Sequence, residues 1–82
     1  MKNLKTWKIV NYVNTDVLFH ERSPKCIVAR SEQQTREGIH SVEYNNDYFY
    51  ILHWMESTKP EAHEQIEIIN HAVEAWEMKK SA

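Results

Sequence analysis

The C-terminal third of the chain carries the strongest structural pattern in the sequence. Thr58 with Glu61 three positions later makes a capping box, and Pro60 falls in the first turn, where its missing N–H costs little. Five apolar residues lie within an arc of about 80° at 100° per residue: Ala62, Ile66, Ile69, Val73 and Trp76. The spacing predicts a helix over residues 59–79 that buries one face on a sheet. It also fits a coiled-coil seam, but the segment is shorter than the three or four heptads that a coiled coil needs.

The first two thirds of the chain predict β-strands at residues 6–13, 17–21, 25–30, 39–44 and 48–54. Asn14-Thr15-Asp16 and Asn45-Asn46-Asp47 supply turn residues between two pairs of these strands, and the second hairpin is expected at the centre of the sheet. Residues 31–38 form either a short helical turn or a polar loop. The predicted fold class is α+β, with a small antiparallel sheet of four or five strands packed against one C-terminal amphipathic helix.

The 82 residues predict a single domain with one core. A chain this short buries a limited fraction of its surface, which makes a homodimer plausible. Three residues form a second apolar strip beside the main one: Ile68, Ala72 and Ala75. This strip is either a dimer contact or the margin of the sheet contact.

Composition favours a cytoplasmic protein without a membrane partner. No apolar run is long enough to cross a bilayer, and the polar start is not followed by a signal-peptide stretch. Cys26 is the only cysteine, so the chain has no internal disulfide.

Most catalytic and cofactor motifs are missing. A single glycine leaves no glycine-rich phosphate loop, and a single cysteine makes no CxxC site. Cys26 with His20, His40 or His53 is the one candidate for a nucleophile and base, and a buried strand cysteine is the favoured interpretation. The sequence therefore predicts no enzyme and no cofactor.

The best metal-ligand candidates are His63, Glu67 and His71 on the helix. His63 and His71 are about 12 Å apart along the axis at 1.5 Å per residue, so the three cannot share one ion. The prediction is no metal.

Charge is divided unevenly along the chain. Residues 1–36 carry seven Lys or Arg against three acids, and residues 37–82 carry three against nine. Acidic and histidine side chains share the polar side of the predicted helix: Glu64, Glu67, His71, Glu74 and Glu77. This face is either simply solvated or docks onto a basic protein partner.

An aromatic set and a basic set indicate a second function. Tyr48, Tyr50 and Trp54 share one face of a regular strand, so they could stack on the bases of a single-stranded nucleic acid or serve as core. Seven basic residues could contact phosphates if the fold gathers them: Lys2, Lys5, Lys8, Arg22, Lys25, Arg30 and Arg36.

The leading hypothesis is a non-enzymatic protein-binding module that acts through the acidic helix face. One form of it, by analogy from size and charge alone, is a small phage-type inhibitor of a nucleic-acid-handling host defence enzyme. The alternative is a small single-stranded nucleic-acid-binding domain that uses the basic N-terminal half and the tyrosine-rich hairpin.

Overall fold

The computed structural model describes residues 6–22, 24–56 and 59–81. The elements are β1 (Trp7–Tyr12), β2 (Thr15–His20), β3 (Cys26–Ser31), β4 (Ser41–Tyr44), β5 (Asp47–Trp54) and α1 (Ala62–Ser81). The strands form one sheet in the order β1-β2-β3-β5-β4, and every neighbouring pair is antiparallel. The predicted α+β class, with a five-stranded sheet and one C-terminal helix, is confirmed.

The helix covers one face of the sheet, called the inner face below. Side chains alternate between the two faces of a strand, so every second residue of a strand points towards α1. The strands contribute these buried residues to the core: Trp7, Leu18, Cys26, Val28 and Phe49. Ile69, Ala72, Val73 and Ala75 meet them from α1.

The helix begins three residues later than the sequence predicts. Lys59 precedes a proline, and the proline ring disfavours helical backbone at the preceding residue. The carbonyl of Glu61 accepts the first helical bond, from the Gln65 N–H at 2.9 Å, and the Gln65 side chain donates to the carbonyl of Pro60 at 2.8 Å. Thr58, the predicted cap, lies outside the described residues.

Both hairpin turns have two successive residues with positive φ. In the β4–β5 turn these are Asn45 (φ 53°) and Asn46 (φ 70°), and in the β1–β2 turn they are Val13 (φ 50°) and Asn14 (φ 64°). This is the backbone of a type I′ turn, which matches the twist of the flanking strands. The first turn, Val13-Asn14, therefore begins one residue earlier than the predicted Asn14-Thr15-Asp16.

Residues 32–40, called the crossing segment below, connect two strands that are not neighbours. β3 and β4 both pair antiparallel with β5, so they run parallel to each other on its two sides. The crossing segment must pass over β5, and it does so on the outer face, the one opposite α1, where it meets Tyr50. The β4–β5 hairpin consequently lies at the edge, and β3, not this hairpin, occupies the centre.

Candidate functional site

The outer side of α1 presents the predicted acidic row to solvent. Glu64, Glu67 and Glu77 are exposed, whereas His71 and Glu74 are half-buried. Residues 60–78 contain no Lys or Arg. In the part of the chain that the structure describes, no lysine or arginine forms an ion pair with Glu64 or Glu67. No described lysine or arginine therefore offsets the negative charge of Glu64 and Glu67.

The second half of the row is partly engaged within the protein. The Tyr44 hydroxyl of β4 donates a hydrogen bond to the Glu77 carboxylate, and this bond raises the pKa of Tyr44. Glu74 also has a contact within the chain. Glu64 and Glu67 are thus the members of the row best placed to meet a partner.

His63 associates with different residues from those predicted. Its ring nitrogens lie 3.6 Å from Glu61 and 3.9 Å from Glu64. One ligand atom from each of these three residues falls within 4.8 Å of the others, and all three residues are exposed. Glu67 and His71, the other two candidates from the sequence, take no part in this cluster. Exposed carboxylates around a histidine do not by themselves define a metal site.

The second apolar strip of the helix is part of the core. Ala72 and Ala75 are completely or almost completely buried, and Ile68 packs against the same cluster. Small residues here let α1 approach the sheet closely. The structure therefore supports the interpretation of this strip as the margin of the sheet contact. Ala72 and Ala75 are unavailable as a dimer contact.

A β-bulge separates the three predicted stacking residues. The register between β3 and β5 shifts at Ile27/Val28, which inserts Leu52 as an extra residue and reverses the alternation beyond it. Trp54 consequently pairs with Cys26 and packs on the core, while Tyr48 and Tyr50 remain on the outer face. The surface predicted to stack on nucleic-acid bases is therefore reduced to Tyr48 and Tyr50. The Glu43 carboxylate, close to the Tyr48 hydroxyl and hydrogen-bonded to it, raises the pKa of Tyr48.

The basic residues do not form one patch among those that the structure describes. Lys8 forms an ion pair with Glu21 at 3.3 Å. Arg30 points inwards, where its Nη1 lies 3.1 Å from Asp47 Oδ2 and its guanidinium stacks on Trp76 at 3.9 Å. Lys2 and Lys5 lie outside the described residues. Two of the seven predicted phosphate contacts are therefore paired within the protein.

Cys26 lies beside a histidine, as a catalytic pair would require, but in an unsuitable environment. His20 is directly opposite Cys26 in the β2–β3 register, and the thiol is completely buried. Burial and the nearby Glu56 carboxylate raise the pKa of Cys26 to about 12. A nucleophilic cysteine needs a lowered pKa and access to substrate, so this pair is structural.

The outer face of the sheet is largely apolar. Its residues, which point away from α1, include Val10, Val17, Phe19, Ile27, Ala29, Tyr48 and Tyr50. Val17 and Ala29 are buried there, outside the cluster that meets α1. The sequence pattern did not reveal this second apolar layer. Hydrophobic residues on either face of a sheet favour a strand equally, so the pattern does not show that both faces are apolar.

The crossing segment and the outer face form an open surface cleft of about 390 Å³. Its walls are Ser31, Gln33, Gln34, Thr35, Arg36, Ile39 and Tyr50. The sequence identified Tyr50 and Arg36 separately, as an aromatic and as a basic candidate. Their proximity depends on the crossover between β3 and β4, which no local pattern indicates.

Comparison of the chain with protein-family models, with curated proteins and with solved structures gives no match. In the described part of the chain, no helix is both long and apolar enough to span a membrane.

Proposed function

We propose that this protein is a non-enzymatic protein-binding module that docks the acidic outer face of α1 onto a basic surface of its partner. The observation that carries the proposal is the exposed acidic first half of the helix. Residues 60–78 hold five glutamates and no Lys or Arg, and Glu64 and Glu67 are exposed.

The helix is a rigid support for such a surface. Ile69, Ala72 and Ala75 fix it on the sheet, and the Tyr44–Glu77 hydrogen bond ties its second half to β4. A preorganised row of charges loses little conformational entropy on binding. The partner chemistry that fits is a groove or patch rich in Lys and Arg, such as the nucleic-acid-binding groove of an enzyme that an inhibitor of this kind would occupy.

The geometry favours this function over single-stranded nucleic-acid binding across the hairpin. The bulge removes Trp54 from the stacking platform, and Arg30 is engaged by Asp47. A platform for several bases would need these residues on the outer face.

The test replaces Glu64 and Glu67 with glutamine, which removes two charges and leaves side-chain size and helix propensity almost unchanged. The protein is used as bait in nuclease-treated lysate, and a captured partner is then purified for titration. We expect the Glu64→Gln/Glu67→Gln variant to bind that partner roughly tenfold more weakly, with a shallower salt dependence.

The matched control is Glu32→Gln/Glu37→Gln, which removes two exposed carboxylates from the crossing segment. It should bind like the wild type, and both variants should show unchanged thermal unfolding. Equal binding by the two double variants would reject the helix face as the docking surface.

A further inference from the structure

The outer-face cleft combines side-chain chemistry that the helix surface lacks. Tyr50 contributes an aromatic ring from β5, and Ile39 contributes an aliphatic wall from the crossing segment. The volume of about 390 Å³ falls within the usual range of small-molecule sites. The open cleft is therefore large enough for a group of the size of a nucleobase with its sugar.

Hydrogen bonds within the crossing segment and between it and the ends of β3 and β4 fix the walls of the cleft. The Gln33 N–H donates to Ser31 Oγ at 3.1 Å, and the Thr35 hydroxyl lies 3.2 Å from Ser41 Oγ. The Ile39 N–H donates to the Arg36 carbonyl at 3.1 Å, across a turn that Gly38 completes with φ 90°. These bonds engage the hydroxyl groups of Ser31 and Thr35.

Three other polar side chains of the cleft remain available. Within residues 6–22, 24–56 and 59–81, no hydrogen bond or ion pair engages the side chains of Gln33, Gln34 or Arg36. A glutamine amide offers a donor and an acceptor, the pair that reads the edge of a nucleobase. A guanidinium offers a planar set of donors that matches a phosphate.

We propose that this cleft binds one nucleotide, with the base stacked on Tyr50, its edge on the amides of Gln33 and Gln34, and the phosphate on Arg36. The nucleotide is either free or one unit of a single strand, since both present a base and a phosphate. The site lies on the sheet face opposite α1, so it is separate from the proposed protein-docking surface.

The experiment titrates the ¹⁵N-labelled protein with uridine monophosphate, adenosine monophosphate, uridine and inorganic phosphate, and follows backbone and Arg36 Nε–H signals by NMR. We expect the nucleotides to shift residues 31–39 and Tyr50 with a Kd of about 0.1–1 mM. Uridine lacks the phosphate and inorganic phosphate lacks the base, so each should bind at least tenfold more weakly than the nucleotides. Absence of shifts in the cleft with both nucleotides at about 10 mM would overturn the proposal.

Variants separate the two contacts. Arg36→Gln should weaken nucleotide binding about tenfold and leave uridine binding unchanged, whereas the matched Arg22→Gln should leave both unchanged. Tyr50→Leu keeps the apolar bulk of a half-buried side chain and should weaken the nucleotide and uridine alike. Equal loss in Arg36→Gln and Arg22→Gln would mean non-specific charge attraction and would overturn the site.

Two further arms identify the source of the nucleotide and the role of the local charge. A uridine hexanucleotide that binds at least tenfold more tightly than the monophosphate would assign the cleft to a strand, and equal affinity would assign it to free nucleotides.

Glu37→Gln removes a carboxylate next to Arg36 and should tighten phosphate-dependent binding. Weaker nucleotide binding in that variant would contradict the Arg36–phosphate contact.

Discussion

At the scale of single residues, Cys26 begins the central strand β3 and its side chain is buried on the inner face. His20 lies opposite it on β2 and Trp54 on β5. The His20 Nδ1 lies 2.9 Å from the carbonyl of Pro24, and because a carbonyl only accepts, Nδ1 is the protonated nitrogen. The same ring packs on Trp7 in a tilted arrangement, with 4.4 Å between the ring centroids. His20 is therefore held as a packing residue beside a buried thiol.

The raised pKa of Cys26 predicts a loss of stability in alkali. The pKa is about 12 in the fold against an ordinary value of 9.0, so the neutral thiol favours folding and the thiolate favours unfolding. This contribution is complete below pH 9 and disappears as the pH rises towards 12. Each pH unit in that window should cost about 1.4 kcal/mol.

Urea unfolding at pH 8 and pH 10.5 measures this effect. Tyr44 and Tyr48, whose pKa values are also raised, contribute with the same sign, so the comparison is made against Cys26→Ala. The wild type should lose roughly 1–2 kcal/mol more than Cys26→Ala between the two pH values. Parallel losses would show that the thiol ionises as easily in the fold as in the unfolded chain.

At the scale of elements, the two hairpin turns share a backbone but differ in how well their residues suit it. Asparagine tolerates the left-handed region at Asn45 and Asn46, whereas a β-branched side chain at Val13 clashes with its own backbone there. Val13 is also 77% exposed, so packing within the described chain offsets little of that strain. The β1–β2 hairpin is therefore closed by an unfavourable residue.

Relieving this strain should stabilise the protein. Val13→Asn should raise the free energy of unfolding by about 1 kcal/mol and the Tm by about 4–8 °C. The reciprocal substitution Asn45→Val, at the matching position of the other turn, should lower both by similar amounts. Thermal unfolding followed by circular dichroism measures them, and a less stable Val13→Asn protein would contradict the left-handed assignment.

The turns and the bulge also show how far sequence reasoning reaches. The helix and five strands are predicted within a few residues, because hydrophobic periodicity and turn residues are local signals. The β1–β2 turn is predicted one residue late because Val13 is atypical of that backbone. Trp54 is placed on the wrong face because the bulge at Leu52 depends on pairing with β3, and the Tyr50–Arg36 cleft depends on the crossover.

At the scale of the whole molecule, one charged residue joins the two layers. Arg30, on the central strand, stacks on Trp76 of α1 and pairs with Asp47 at the start of β5. Phe49 also meets Trp76 edge to face, at 6.4 Å between ring centroids. The side chains of Arg30 and Asp47 are only 26% and 25% exposed, so both charges are partly desolvated. The sequence places Arg30 among the basic residues that could contact phosphates. A single arginine on a strand gives no sign of which face of the sheet its side chain occupies.

Removing the anion should therefore harm the fold more than removing the cation. Asp47→Ala leaves a guanidinium between sheet and helix without its carboxylate, and Arg30 Nε already lacks an acceptor among the described residues. We expect Asp47→Ala to cost roughly 1–2 kcal/mol of unfolding free energy. Arg30→Met, which keeps the contact with Trp76 through an apolar chain, should change it by less than about 1 kcal/mol.

Urea unfolding of the two single variants and the double variant forms the cycle that isolates the pair. Once Arg30→Met has removed the cation, adding Asp47→Ala should have little effect, because no buried charge is left uncompensated. Glu32→Ala, on the exposed crossing segment, controls for loss of a surface carboxylate. If Asp47→Ala costs no more than Glu32→Ala, or costs as much in the Arg30→Met background as in the wild type, the Arg30–Asp47 pair is solvated and does not help to join the two layers.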